Sequence, residues 1–279
     1  MDRKFSLAYL TIPGTDPVTH IQIAAETGYD SVSLRTIPMH LPCEPEYRLE
    51  KDEKLFNSIK AALREYGLRV MDIELARIKE EVDINEFAPA FEAAAKLGAT
   101  DVLGSVWSRN RSWYTDTVGR VAAMAKQFGL SYNVEFLPWA GVRNLQEAIT
   151  LVDRVGCDNL YIMVDTLHAG RAGVTAQELK RTNQRYFRFM HLCDGPAGSD
   201  GDPVLDDIKD ELMIFTAREA RCYVGQGCMD VAGMVAAIPG VPLSIELPND
   251  KELAARGARG HAQECLDTAK NYLKANGVH

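Results

Sequence analysis

The feature that most constrains this chain is a rhythm. Eight times over, a short apolar run rich in β-branched residues gives way to a segment of helical period, and a glycine or turn intervenes before the next run. The runs fall at 5–12, 30–34, 69–75, 101–106, 131–137, 159–165, 185–192 and 242–247. Helical segments are predicted at about 17–27, 51–66, 84–97, 113–129, 143–155, 175–183, 229–238 and 250–275. The stops ETGYD, EYGLRV, KLGATD, QFGLSY and RVGCDN each put Gly where a helix needs a left-handed C-terminal cap. The units are not self-similar and vary in length, which excludes a solenoid array. Strands that alternate with helices pair in parallel and are buried on both faces, so eight such units predict an α/β fold, a single (β/α)8 TIM barrel over 1–279. An open parallel sheet is the alternative. A long βα loop at about 195–228, with a helical stretch near 206–217, is expected to lie over the active-site face.

In a barrel of this kind the carboxyl ends of the strands collect at one mouth, where active sites sit. Four consecutive runs end on residues able to ligate a hard metal ion: Glu135, Asp165, His191 and Glu246. Each taken singly could cap a helix, pair with an arginine or face solvent. Together, three carboxylates in a low-dielectric mouth repel one another, and a shared divalent cation resolves that repulsion. The set of three oxygens and one nitrogen suits Mn²⁺, Mg²⁺ or Co²⁺, with Zn²⁺ also admissible.

Composition excludes several classes of function. A formal charge of −8 opposes a polyanionic partner, because nucleic-acid binding draws its affinity from clustered Lys and Arg. No apolar stretch approaches a membrane span. In the opening MDRKFSLAYLTIPGTD, Pro13 and Gly14 end the apolar run too early for a signal-peptide core. The six cysteines are scattered without a CxxC pair. A cytoplasmic protein with reduced thiols and a small-molecule substrate is expected.

The segments NVEF (133–136), VDTLHAGR (164–171), MHLCDG (190–195), REARCYVGQG (218–227) and SIELP (244–248) resemble, in order and spacing, the xylose isomerase-like barrel superfamily. They are most similar to its sugar phosphate isomerase/epimerase group, which includes ketose 3-epimerases and inosose dehydratases. The resemblance implies that Glu135, Asp165, His191 and Glu246 hold the metal and that Glu135 and Glu246 also transfer protons. It implies that His168 and Arg221 contact substrate oxygens. For His168 the alternative is a cap or packing role at the start of the sixth helix, and for Arg221 it is a surface ion pair, with Arg218 a rival. Such relatives often carry Pro-Gly-Glu-Gly where this chain has Val224, Gly225, Gln226 and Gly227. The resemblance also implies a homo-oligomer, dimer or tetramer.

The expected chemistry is isomerisation or epimerisation of a small polyhydroxy ketone or sugar through a metal-stabilised enediolate, with two glutamates as acid and base. Expulsion of a β-hydroxyl from the same intermediate would make the enzyme a dehydratase. An abasic-site endonuclease needs more metal ligands than six histidines, most of them away from the strand ends, can supply. A non-catalytic binding barrel would not need two separated bases. Arg35, Arg77, Arg109 and Arg111 follow strands two to four beside Trp107, Trp113 and Tyr114, and suggest a negatively charged substrate. Alternatively these arginines pair with Asp72, Glu74 or Asp116.

Overall fold

Eight parallel strands close on themselves in the order β1 to β8, each hydrogen-bonded to its neighbours in sequence and β8 returning to β1. The strands are β1 Phe5–Leu7, β2 Ser31–Arg35, β3 Arg69–Ile78, β4 Asp101–Val106, β5 Ser131–Glu135, β6 Leu160–Asp165, β7 Phe187–Leu192 and β8 Leu243–Ile245. The computed structural model describes residues 3–40, 44–197 and 210–278. Among them the helices are α1 Pro17–Thr27, α2 Glu53–Tyr66, α3 Phe87–Lys96, α4 Arg111–Gln127, α5 Leu145–Val155, α6 Thr166–Arg171, α7 Ala176–Arg181, α8 Asp210–Glu219, α9 Val231–Ala237 and α10 Asp250–Ala275. No helix there is long and apolar enough to cross a membrane.

Alternation along the strands sorts side chains into two packing regions. Residues such as Val102, Val134, Ile162, Val164, Met190 and Ile245 join Ile21, Val121, Leu151 and Leu266 of the helices in one continuous core between barrel and helix ring. Leu103, Met163 and Phe189 form a separate cluster contributed by strands alone, which fills the barrel interior. The predicted glycine stops hold: Gly28, Gly67, Gly98, Gly129 and Gly156 all adopt positive φ just after a helix. Helix starts are equally local, with Asp16, Asp52, Asn110, Asn144 and Asn249 each accepting a backbone N–H of the first turn.

The structure departs from the predicted boundaries in four informative places. The first run stops being a strand at Leu7, and a 3-10 turn at Tyr9–Thr11 replaces its end. That turn is fastened by tertiary bonds: the Tyr9 N–H donates to Glu74 Oε1, and the Thr11 hydroxyl donates to the Ile245 carbonyl. Strand β3 runs three residues further than expected and so carries Arg77 to the mouth. A short helix, α6, starts directly at Thr166 because Asp165 caps it by accepting the His168 N–H at 3.0 Å. Within the long loop, α8 is described from Asp210 and runs to Glu219, two residues past the expected end, and the part of the expected helix at 206–209 lies outside the described residues.

Gly104 in β4 marks a close approach. A Cβ there would overlap the Tyr132 phenol, whose hydroxyl donates to the Ala76 carbonyl at 3.2 Å. Gly104→Ala is expected to destabilise the barrel by about 1–3 kcal/mol through overpacking. A lowered denaturation midpoint at unchanged slope checks this.

Candidate active site

The four strand-end residues predicted to hold a metal converge at the mouth. Glu135 closes β5, Asp165 closes β6, His191 lies in β7 and Glu246 follows β8; all are buried, and one ligand atom from each falls within 4.8 Å of the others. Strand register accounts for the meeting: Asp165 pairs with His191, and His191 with Ser244, two residues before Glu246 on the same side of the pleat.

Arg221 is threaded into this cluster. It is 2 % exposed, and donates from Nη1 to Asp165 Oδ2 at 2.6 Å and from Nη2 to Glu246 Oε2 at 2.7 Å. Its Nε donates to the Ala217 carbonyl and Nη1 to the Glu246 carbonyl, so the guanidinium is held on several sides. Arg218, the rival for this position, is exposed at the cavity rim.

The charges pull the carboxyls apart. Burial, then repulsion from Glu246 and Asp165, holds the Glu135 carboxyl well above the usual carboxylate range. Burial also acts to raise Glu246, but His191 and Arg221 outweigh it and hold that carboxyl below the usual range. Burial opposes an imidazolium at His191, yet Glu246 overrides it and pushes the pKa up to about 10. The field therefore favours positive charge at the centre of the cluster.

His168 has its Nε2 3.6 Å from Glu135 Oε1 and its ring edge-on to Trp139 at 5.0 Å. Burial lowers its pKa to about 4, so it is a neutral imidazole. Its backbone also forms the first turn of α6, so the capping geometry anticipated as an alternative coexists with a ring that faces the cavity.

A cation is well matched to these donors. Glu135 Oε1 and His191 Nε2 are buried without hydrogen-bond partners, and His191 Nδ1 sits 3.3 Å from Glu246 Oε2 off the line of a hydrogen bond. Bonds of roughly 2.0–2.2 Å to one ion spread its ligand atoms over about 3–4.4 Å, close to the spacing here. The residues present fit a divalent metal.

Beside the cluster lies a cavity of about 170 Å³, lined in part by Arg35, Arg77, Trp107, Trp139, His168 and Arg221. Arg35 pairs with Glu74 at 2.9 Å and Glu44 at 2.8 Å, as the bland alternative anticipates. Arg77 instead stacks on Trp107, 4.8 Å from the ring centroid. Arg109 and Arg111 are exposed and outside the cavity lining.

A family model described as xylose isomerase-like TIM barrel matches residues 21–270. The chain belongs to that family. An inosose isomerase of Bacillus velezensis is 22 % identical over 288 residues, covering 95 % of this chain and 93 % of that protein. Among solved structures, an IolI protein with a bound zinc atom superposes with a TM-score of 0.79 at 18 % identity, covering 98 % of each chain. A probable 3-DHS dehydratase, AsbF of Bacillus anthracis, gives 0.70 at 15 % identity over 98 % of each chain.

Several site residues escaped sequence reasoning. Trp139 is three residues beyond the NVEF segment and was not singled out. Asp194, inside MHLCDG, accepts N–H bonds from Gly195, Gly225, Gly227 and Met229 at 2.8–3.1 Å, clasping the loop that delivers Arg221. This clasp explains the glycines of the Val-Gly-Gln-Gly segment: a Cβ on Gly227 would overlap the Asp194 carboxylate, and Gly225 has φ +88°. An Asp just after the strand end is the available signal, but three of its four partners are 31 to 35 residues away.

Beneath the cluster, Asp72 is buried with one oxygen unpartnered and the other accepting from Ser33 Oγ at 2.8 Å. Burial, then Glu74, raises its pKa from 3.8 to about 8. The folded state thus holds a proton that the unfolded chain releases, so this carboxyl subtracts stability as pH rises across that window. Asp72→Asn is expected to stabilise the chelator-treated protein progressively from about pH 4 to about pH 8, with no gain below pH 4. Denaturant titrations at several pH values check the sign.

Proposed function

We propose that the chain is a divalent-metal-dependent isomerase or epimerase of a small polyhydroxy ketone or sugar. The observation that carries this reading is geometric: Glu135 and Glu246 enter one buried cluster with Asp165 and His191, one ligand atom from each within 4.8 Å of the others. Under the protein's own charges alone, His191 and Arg221 hold the Glu246 carboxyl below the usual range, whereas burial and the neighbouring carboxylates hold that of Glu135 above it. Opposed pKa values in neighbouring carboxyls are the mark of an acid and a base at one site. The inosose isomerase name of a relative that is similar along nearly the whole chain supports the same reaction class.

A divalent cation held by Glu135, Asp165, His191 and Glu246, of which Mn²⁺, Mg²⁺ and Co²⁺ suit the donors best and Zn²⁺ is carried by one solved neighbour, would polarise the carbonyl and adjacent hydroxyl of a hydroxyketone. The protein's own groups do the rest. Glu246 receives the proton from the carbon beside the carbonyl, leaving an enediolate, and Glu135 supplies a proton to the other face or to the neighbouring carbon. Proton return to the same carbon from the opposite face epimerises; return to the neighbour isomerises. Neutral His168 donates to or accepts from a substrate hydroxyl at the Glu135 side, and Trp139 and Trp107 wall the site against water. Arg221 fixes Asp165 and Glu246 in place. The reading takes the protein to be a cytoplasmic homo-oligomer with a small-molecule substrate and no nucleic-acid or membrane partner.

A dehydratase reading shares the first proton transfer and is favoured by the name of the AsbF neighbour. The two separate by product: loss of water leaves a conjugated carbonyl that absorbs in the ultraviolet.

Deuterium uptake into substrate C–H bonds in heavy water, over a panel of ketoses, inososes and hydroxy-keto acids, is the decisive measurement. Exchange with at least one of them is expected, and Glu135→Gln or Glu246→Gln should each slow it by about 10²–10⁴-fold. Absence of exchange throughout the panel sinks the proposal. Exhaustive chelation should abolish exchange, and re-addition of Mn²⁺ should raise the melting temperature. At a hundred times the Kd the gain is worth about 2.7 kcal/mol, and His191→Ala should lose it.

A further inference from the structure

Four arginines line the cavity, and they divide into two kinds. Arg35 and Arg221 are saturated by carboxylates, Arg35 through Glu74 and Glu44, Arg221 through Asp165 and Glu246. Arg77 and Arg218 have no hydrogen bond or ion pair to any acid among the described residues, although Glu44 and Glu74 line the same cavity. In a chain with 39 acidic and 31 basic residues, a partly buried guanidinium such as that of Arg77 with no carboxylate partner among the described residues is a costly arrangement.

Arg77 is also held still. Its guanidinium lies on the Trp107 ring, and the Trp107 indole N–H donates to Ser105 Oγ at 3.0 Å, so the shelf is fixed to β4. The Nε of Arg77 is buried with no partner. Burial first, and the like charge of Arg218 second, lower the Arg77 pKa to about 10, which places the two cations within each other's field. Register sets the distance to the chemistry: Arg77 pairs with Ser105, and Ser105 with Glu135. The backbones of Arg77 and Glu135 are therefore two strand spacings apart at one level of the barrel, roughly 10 Å.

We propose that Arg77 and Arg218 form a subsite for the carboxylate or phosphate of an anionic substrate, whose carbonyl end lies at Glu135 and Glu246. This rests on the reading that the cavity receives the substrate of those two glutamates. The chemistry is that of a guanidinium fork on a planar or tetrahedral oxyanion, with Trp107 fixing one fork and the carboxyl end of α8 supplying the other. A span of two strands fits a short chain with the charged group remote from the reacting carbons. Of the arginines after strands two to four, Arg77 alone meets the conditions for this role: Arg35 is neutralised, and Arg109 and Arg111 lie outside the cavity.

The test is calorimetric binding of three unreactive probes to the full-length protein: D-erythronate, glycerol 3-phosphate and uncharged erythritol. At least one anionic probe is expected to bind tenfold or more tightly than erythritol, and the stronger of the two identifies carboxylate or phosphate as the group recognised. Arg218→Ala, at an exposed position, and Arg77→Met should each erase that margin while leaving erythritol binding unchanged, and Arg120→Ala, on the exposed side of α4, should preserve it. No margin in the unaltered protein, or a margin that survives both single substitutions, overturns the subsite. An anion margin without deuterium exchange on any substrate leaves the subsite standing and removes the isomerase reading. Exchange on a neutral ketose, with no anion margin in the unaltered protein, does the reverse.

Discussion

Three carboxylates brought into one buried mouth is the constraint on which this molecule is built. At 4 Å two like charges repel by about 4 kcal/mol even at an effective dielectric of 20, and Glu135, Asp165 and Glu246 form three such pairs. The chain's own remedy is Arg221, which bridges Asp165 and Glu246 from a fully buried position. That remedy is incomplete by construction, since Glu135 is left without a cationic hydrogen-bond partner, and burial with the neighbouring carboxylates holds its carboxyl above the usual range. The deficit is what the proposed cation and the proposed proton transfer would draw on.

Arg221 in turn depends on a scaffold remote from the chemistry. It leaves the end of α8 with its Nε on the Ala217 carbonyl, and the chain after it is pinned twice: at Cys222, which pairs with the Asp194 backbone, and at the Gly225–Gly227 turn, which Asp194 clasps through its side chain. Asp194 follows β7, so the same strand that supplies His191 also anchors the loop carrying the compensating charge. A barrel allows this economy because every strand ends at the same mouth.

The mouth has a division of labour by strand. The later strands, β5 to β8, supply the buried cluster of three carboxylates and His191, while β2 to β4 supply arginines and Trp107 around the cavity. Low identity to relatives that share the fold over nearly their whole length is in keeping with such a division. In the proposed reaction the cluster would set the chemistry and the opposite wall the choice of substrate.

Much of this was legible in the linear chain, for definite reasons. The period of two, the period of 3.6 and the glycine stops are local properties, so the eight units and the helix ends read correctly from residues that touch one another in sequence. The meeting of Glu135, Asp165, His191 and Glu246 was legible too, because a parallel barrel converts the statement that a residue ends a strand into the statement that it faces the mouth. Failures came where a long-range bond decided the outcome. Phe5–Leu7 stops short because the turn after it is bonded to Glu74 and Ile245. The role of Asp194 was invisible, since Gly225, Gly227 and Met229 lie 31 to 35 residues away, and of the two carboxylates that saturate Arg35 only Glu74 was anticipated, not Glu44. By itself the sequence determined the barrel and the four residues at its mouth, because periodicity and strand ends are local. Only the tertiary structure decided which arginines are spent on carboxylates and which remain for a ligand, because charge pairing is a matter of distance in space.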